Sequence, residues 1–126
     1  EKLIRLAKSY GLEVTAFSPL GSISYEELGG AKENESLLIN PTIKSVSKDL
    51  EISPAQLILS WALNRGTSIV VKSSSKTRMK ENLDASDIEL DQATIDKISA
   101  LNINKRYNDP GVFCEDAFNT FFPIYE

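Results

Sequence analysis

The segment from Lys72 to Lys80, KSSSKTRMK, concentrates positive charge and hydroxyl groups in a chain that is otherwise acidic. The chain has 14 Lys and Arg against 18 Asp and Glu, and this segment holds four basic residues and no acidic one. Taking those four from the 14 leaves 10 basic residues against 18 acidic ones in the rest of the chain. A local positive charge of this kind favours an anionic ligand, although a solvated Ser-rich surface loop often has the same composition.

The composition excludes several classes of chemistry. The chain has no histidine, which removes the commonest general acid–base residue and a common metal ligand. Its net charge of −4 argues against general nucleic-acid binding, and no apolar run approaches the roughly 20 residues that cross a bilayer. No secretory signal is visible, and the single cysteine, Cys114, cannot form an internal disulfide. We therefore expect a cytoplasmic protein with no nucleic-acid or membrane partner.

Helix start signals occur at several places along the chain. Asn40-Pro41 and Ser53-Pro54 each combine an N-cap residue with proline at the first helical position, and Ser75 and Asp91 are further N-cap residues. Helices are predicted from these points to about Leu50, residue 65, Asn82 and Leu101. An additional helix at the start of the chain lacks an N-cap and ends at Gly11, so we expect the sequence to begin in the middle of a larger protein.

Two short β-strands are predicted, at residues 13–17 and 68–72, because both runs are rich in β-formers. The second strand is almost entirely apolar, which predicts burial on both faces. Since strands and helices alternate, the sheet is predicted to be parallel. Two strands alone would leave both sheet edges open, so we expect a larger sheet or pairing with another chain. Residues 22–40 are predicted to be a long surface loop, and residues 102–126 an irregular tail.

Both strands end in turns that carry hydroxyl groups, and these ends are the candidate site. The carboxyl end of the second strand leads into a helix whose free N–H groups attract anions. Lys72 and Arg78 add full charges there, and the planar guanidinium of Arg78 suits a phosphate group. In a (β/α)₈ barrel, a phosphate site typically lies in the loops after the last two strands.

Three motifs, in this order, resemble the last third of the aldo-keto reductases: VTAFSPLGS, SPAQLILSWALNRG and IVVKSSSKTRMKENL. RYNDP, near the tail, resembles the xylose-reductase branch of that family. The resemblance implies an α/β fold, the C-terminal part of a (β/α)8 TIM barrel that contains the last two strands, their helices and the C-terminal loop. Residues 1–126 would be part of one reductase domain, in which residues 102–126 form a substrate loop.

The same resemblance implies that NADPH is the cofactor and that a small carbonyl compound, an aldehyde, ketone or sugar, is the substrate. By matching position, Ser18, Leu20 and Ser22 would lie along the pyrophosphate of NADPH. Glu81 and Asn82 would contact the adenine.

The remaining positions would surround the phosphate that distinguishes NADPH from NADH. Lys72, Ser73 and Arg78 would bind this 2′-phosphate, and Ser74 and Ser75 would border it. The positive segment is then explained as a 2′-phosphate clamp.

The sequence departs from the family pattern at three points. Val71 replaces the usual proline before the lysine, and Ser24 stands where an acid usually latches the loop over the cofactor, so Glu26 or Glu27 would have to substitute. The family's catalytic Asp, Tyr, Lys and His lie upstream of this region, in an N-terminal half of the barrel that would be the missing partner. We therefore predict no catalytic residues and no reductase activity in this chain alone. The alternative interpretation is a small non-catalytic protein that binds a nucleotide, another anion or an acidic partner.

Overall fold

The computed structural model describes residues 2–26 and 30–120 of the 126-residue chain. Within these ranges it contains two β-strands, β1 (Thr15–Phe17) and β2 (Ser68–Val70). It also contains α1 (Lys2–Ser9), α2 (Ile23–Glu26), α3 (Pro41–Asp49), α4 (Pro54–Asn64), α5 (Lys76–Asp84), α6 (Gln92–Ser99) and α7 (Pro110–Phe118). Short 3₁₀ turns lie at Glu33–Glu35, Leu37–Ile39 and Ala85–Asp87.

The predicted helix caps are confirmed. Asn40 Oδ1 accepts hydrogen bonds from the backbone N–H groups of α3. Ser53 Oγ accepts from Gln56 N at 3.1 Å, and Gln56 Oε1 accepts from Ser53 N at 3.1 Å, which makes a complete capping box on α4. Ser75 and Asp91 cap α5 and α6 by a single hydrogen bond each, accepted from Arg78 N and Thr94 N. These side chains fix where the helices begin, and therefore how the chain leaves each strand.

The two strands are parallel neighbours, as predicted. Thr15 pairs with Ser68, Ala16 with Ile69 and Phe17 with Val70. Each strand is three residues long, shorter than the five predicted. Because the strands are parallel and pair residue by residue, their carboxyl ends lie side by side. The turns that follow the two strands therefore lie next to each other.

The hydrophobic core lies between the helices on one side of this small sheet. Ile43 and Val46 of α3, Leu57 and Ile58 of α4, and Ile98 of α6 form one buried cluster. Trp61, Leu20, Leu37 and Leu38 are half-buried against this cluster. The core therefore holds the turn after β1 and the segment before α3 against α4.

The prediction that β2 is buried on both faces is wrong for this chain. Val70 is 62% exposed, and its neighbour Phe17 on β1 is also 62% exposed. Helix α4 packs against β2, whereas the face that carries Phe17 and Val70 is left largely exposed by the described residues. An apolar strand sequence indicates what a strand can bury, whereas its actual burial depends on elements that are distant in sequence.

Two segments are more ordered than predicted. The segment 22–40 contains α2 and two 3₁₀ turns, so it is not a uniformly irregular loop. The tail contains α7, which begins with Asp109 Oδ1 accepting from Gly111 N at 2.9 Å. Residues 121–126 and Glu27, one of the two candidate latch residues, lie outside the described residues. Of the helices described, none is long and apolar enough to cross a membrane.

Candidate functional site

A cleft of about 610 Å³ lies at the carboxyl ends of β1 and β2. One wall is the turn that follows β1, and the other is the segment from the end of β2 into α5. Ten residues were predicted as site residues, and those that line this cleft are Ser18, Leu20, Lys72, Ser73, Ser74, Arg78, Glu81 and Asn82. The volume falls within the range of roughly 300–1,000 Å³ that small-molecule sites occupy.

The wall after β1 is a tight turn with strained backbone. Ser18 has a φ of 48°, a left-handed conformation that is uncommon for a residue other than glycine. Gly21, with a φ of 89°, donates its N–H to Ser18 O at 3.0 Å and so closes the turn. Ser18 Oγ accepts a hydrogen bond from Tyr25 Oη at 3.3 Å. The turn thus holds one hydroxyl group at the mouth of the cleft.

The wall after β2 is ordered by serine side chains. Ser75 N donates to Ser73 Oγ at 3.2 Å, and Arg78 N donates to Ser75 Oγ at 3.5 Å. Ser75 therefore serves as the N-cap of α5 and does not itself line the cleft. The effect of these two bonds is to place the N-terminal turn of α5, with Arg78, beside Lys72.

Positive charge in the cleft is largely unneutralised. No carboxylate of the described residues lies within ion-pair distance of Lys72 or Arg78. Lys80, on the same helix, is instead paired with Asp84 at 2.6 Å. Both Lys72 and Arg78 are exposed, so their side chains are free to close on a ligand. Two unpaired cations, adjacent hydroxyl groups and the start of a helix together suit a phosphate dianion.

Ser22 is the predicted site residue that the structure places elsewhere. It is 1% exposed, and its Oγ is buried without a hydrogen-bond partner among the described residues. It lines a second cavity, of about 490 Å³, whose wall also includes Trp61 and Tyr107. The turn of Ser18 to Ser22 therefore separates two cavities, and only its first part faces the cleft. Nowhere among the described residues do histidine, cysteine, aspartate or glutamate side chains group in a way that could hold a metal ion.

Residues beyond those predicted also contribute to the cleft. Phe17 and Val70 lie at its base, and Leu38 and Ala55 lie along its side. Leu38 belongs to the segment that was predicted to be a surface loop, and no pattern in the sequence predicts that it lines the cleft. Tyr25 is also next to the cleft, because its hydroxyl group donates to Ser18 Oγ at 3.3 Å.

Comparison with known proteins gives the family. Residues 1–103 match the sequence family described as the aldo/keto reductase family. The chain therefore belongs to the aldo/keto reductase family.

Two curated relatives with similar sequences are D-xylose reductases. The chain is 37% identical over 124 residues to the NAD(P)H-dependent D-xylose reductase of Kluyveromyces lactis, covering 96% of this chain and 38% of that protein. It is 40% identical over 111 residues to the NAD(P)H-dependent D-xylose reductase of Scheffersomyces stipitis, covering 86% of this chain and 35% of that protein. The chain thus spans little more than a third of the length of these relatives.

Solved structures agree on the fold. An aldo/keto reductase from Brucella melitensis superimposes with a TM-score of 0.66 at 30% identity, covering 81% of this chain and 34% of that one. An aldo-keto reductase from a deep-sea metagenome library superimposes with a TM-score of 0.71 at 24% identity, covering 84% and 36%. The arrangement of helices around β1 and β2 is therefore one that reductases of this family contain.

Proposed function

We propose that this chain is the cofactor-binding, C-terminal part of an NADPH-dependent aldo-keto reductase that reduces aldehydes, ketones or sugars to alcohols. In this proposal, β1 and β2 are the last two strands of a (β/α)₈ barrel. The remaining strands belong to the N-terminal part of the same protein. The names of the curated relatives and the share of their length that the chain spans support the proposal.

The observation that carries the proposal is the cleft at the two strand ends. Lys72 and Arg78 line it with no acidic partner among the described residues, and they fit the 2′-phosphate of NADPH. Glu81 and Asn82, one turn further along α5, offer an acceptor and a donor suited to the edge of the adenine ring. Ser18 and Leu20, on the opposite wall, would run along the pyrophosphate.

The chemistry is divided between this chain and the rest of the protein. NADPH supplies a hydride when it is bound, and the residues of this chain bind and orient it. We assign no catalytic residue here, because the chain has no histidine and none of its four tyrosines matches the family's catalytic motif. We also infer that residues 102–126 shape the substrate side of the site. We place the protein in the cytoplasm, a location that fits the lack of any internal disulfide within these 126 residues.

Measurement of NADPH oxidation tests this proposal. We expect the whole protein to oxidise NADPH in the presence of D-xylose or another aldehyde, and the 126-residue chain alone to give no rate above background. An appreciable rate from the chain alone would contradict the proposal that the catalytic residues lie outside these 126 residues. A whole protein that binds adenosine 2′,5′-bisphosphate but reduces no carbonyl compound would support the non-catalytic, anion-binding alternative instead.

A further inference from the structure

Two parts of the chain that are distant in sequence, the stretch that carries Tyr25, Gly30 and Glu35 and the tail that carries Lys105 and Tyr107, meet close to the turn after β1. Lys105 Nζ, in the tail, lies 2.7 Å from both carboxylate oxygens of Glu35, although 70 residues separate the two in the chain. Lys105 Nζ also lies 4.9 Å from the centre of the Tyr107 ring. The Tyr107 ring stacks on that of Tyr25, with 6.4 Å between the ring centres and 20° between their planes. We call Tyr25, Gly30, Glu35, Lys105 and Tyr107 the strap.

The backbone of the strap is as closely packed as its side chains. Gly30 N donates to Tyr25 O at 2.9 Å. A Cβ atom built on Gly30 would lie only 2.9 Å from Tyr107 O, so this position accepts no side chain unless the tail moves. The tail, the segment 30–35 and α2 are therefore held together by an ion pair, a ring stack and a close backbone approach. Tyr25 therefore contacts the tail directly, through the ring of Tyr107.

Tyr25 connects the strap to the cleft. Its hydroxyl group donates to Ser18 Oγ at 3.3 Å, a long hydrogen bond. Because Ser18 Oγ accepts this bond, its own hydrogen stays available to donate to a ligand in the cleft. Ser18 is exposed and has a strained backbone, and the only side-chain hydrogen bond that it makes with the described residues is this one. The direction of its hydroxyl group thus depends on Tyr25.

We propose that Tyr25 is a positioning residue for NADPH binding, which holds Ser18 as a hydrogen-bond donor to the cofactor's pyrophosphate, and that the strap couples this donor to the tail. The inference rests on the proposed function, because that function places the 2′-phosphate at Lys72 and Arg78 and the pyrophosphate at Ser18. Tyr25 itself touches no ligand in this arrangement.

Two ligands separate positioning from general structural damage. NADPH extends over both walls of the cleft, whereas adenosine 2′-monophosphate carries the 2′-phosphate and no phosphate at the 5′ position. We expect Tyr25→Phe, which keeps the ring stack, to weaken NADPH binding about two- to tenfold, the effect of one neutral hydrogen bond. Binding of the monophosphate should change less than twofold. Tyr10→Phe is the matched control, because Tyr10 is 75% exposed at the end of α1 and should leave both affinities unchanged.

A double-mutant cycle then tests whether Tyr25 acts through Ser18. If it does, Tyr25→Phe in a Ser18→Ala background should have no further effect on NADPH affinity. Exchange of the charges of Glu35 and Lys105 (Glu35→Lys with Lys105→Glu) should preserve NADPH affinity better than either single substitution does. That result would show that the ion pair between Glu35 and Lys105 contributes to NADPH affinity.

The titrations use the whole protein and distinguish failure of the inference from failure of the proposed function. If Tyr25→Phe weakened the binding of both ligands equally, or did not weaken the binding of NADPH, the positioning role of Tyr25 would be wrong while the proposed function could still hold. Additive effects of Tyr25→Phe and Ser18→Ala would overturn it as well. If the unsubstituted protein bound neither ligand, the proposed function would fail and the inference with it.

Discussion

Arg78→Ala is expected to reduce the preference for NADPH over NADH about tenfold. Arg78 lines the cleft without an acidic partner among the described residues, so its guanidinium is available to the 2′-phosphate. A hydrogen bond to a charged group contributes about 1.5–3 kcal/mol, and the lower value applies because the side chain is exposed. About 1.4 kcal/mol corresponds to a tenfold change in affinity. NADH lacks the 2′-phosphate, and its affinity should change less than twofold.

The assay is titration of the whole protein with each dinucleotide, followed by the fluorescence of the bound nicotinamide. Lys80→Ala is the matched control, since it removes a positive charge from the same helix. Lys80 is paired with Asp84 at 2.6 Å, its side chain is 75% exposed, and it does not line the cleft. We expect Lys80→Ala to leave the ratio of the two dissociation constants within twofold. The reasoning would be refuted if Arg78→Ala weakened NADPH and NADH equally, or if Lys80→Ala had the larger effect.

Three further predictions concern stability and association. Ser53→Ala should lower the free energy of unfolding by about 1 kcal/mol, measured by urea titration, whereas Ser53→Thr should retain most of the cap. The hydrogen bond from Lys105, together with that from the backbone of Lys32, lowers the pKa of Glu35 below its ordinary 4.5. The ionised Glu35 therefore stabilises the folded protein at neutral pH, and this contribution to the free energy of unfolding is lost as the pH falls through the lowered pKa. Urea midpoints of the unsubstituted protein and of Glu35→Gln should therefore converge in acid, and a constant difference between them would count against the ion pair. The 126-residue chain alone should associate through the exposed strand face that carries Phe17 and Val70. The double substitution Phe17→Thr with Val70→Thr should therefore shift the chain toward monomer, measured by light scattering after size-exclusion chromatography. An unchanged distribution of oligomers would contradict this expectation.

The helices were predictable because their signals are local. Asn40-Pro41 and Ser53-Pro54 each place a capping side chain and a proline within a few residues, and the structure begins α3 and α4 there. Asp109-Pro110 is the same signal, and α7 begins at it. The prediction of an irregular tail over residues 102–126 is therefore wrong for residues 110–118, where this local signal outweighs the irregular sequence around it.

The position of the cleft was also predictable from the sequence. Parallel neighbouring strands bring their following turns together, so Ser18 and Lys72 had to approach each other once both strands were recognised. Contacts that depend on tertiary packing were not predictable. The sequence does not indicate that Tyr25 reaches Ser18, nor that Ser22 faces the opposite cavity, because each depends on how residues 22–26 and 30–40 pack against the rest of the chain.

A crystal structure of the whole protein with NADP⁺ would show where the cofactor lies. We expect the oxygens of the 2′-phosphate at hydrogen-bond distance, about 3 Å, from Lys72 Nζ and the guanidinium of Arg78. We also expect the pyrophosphate to lie against the turn at Ser18. A 2′-phosphate bound away from both Lys72 and Arg78, with the adenosine outside this cleft, would contradict the assignment of this cleft to NADPH.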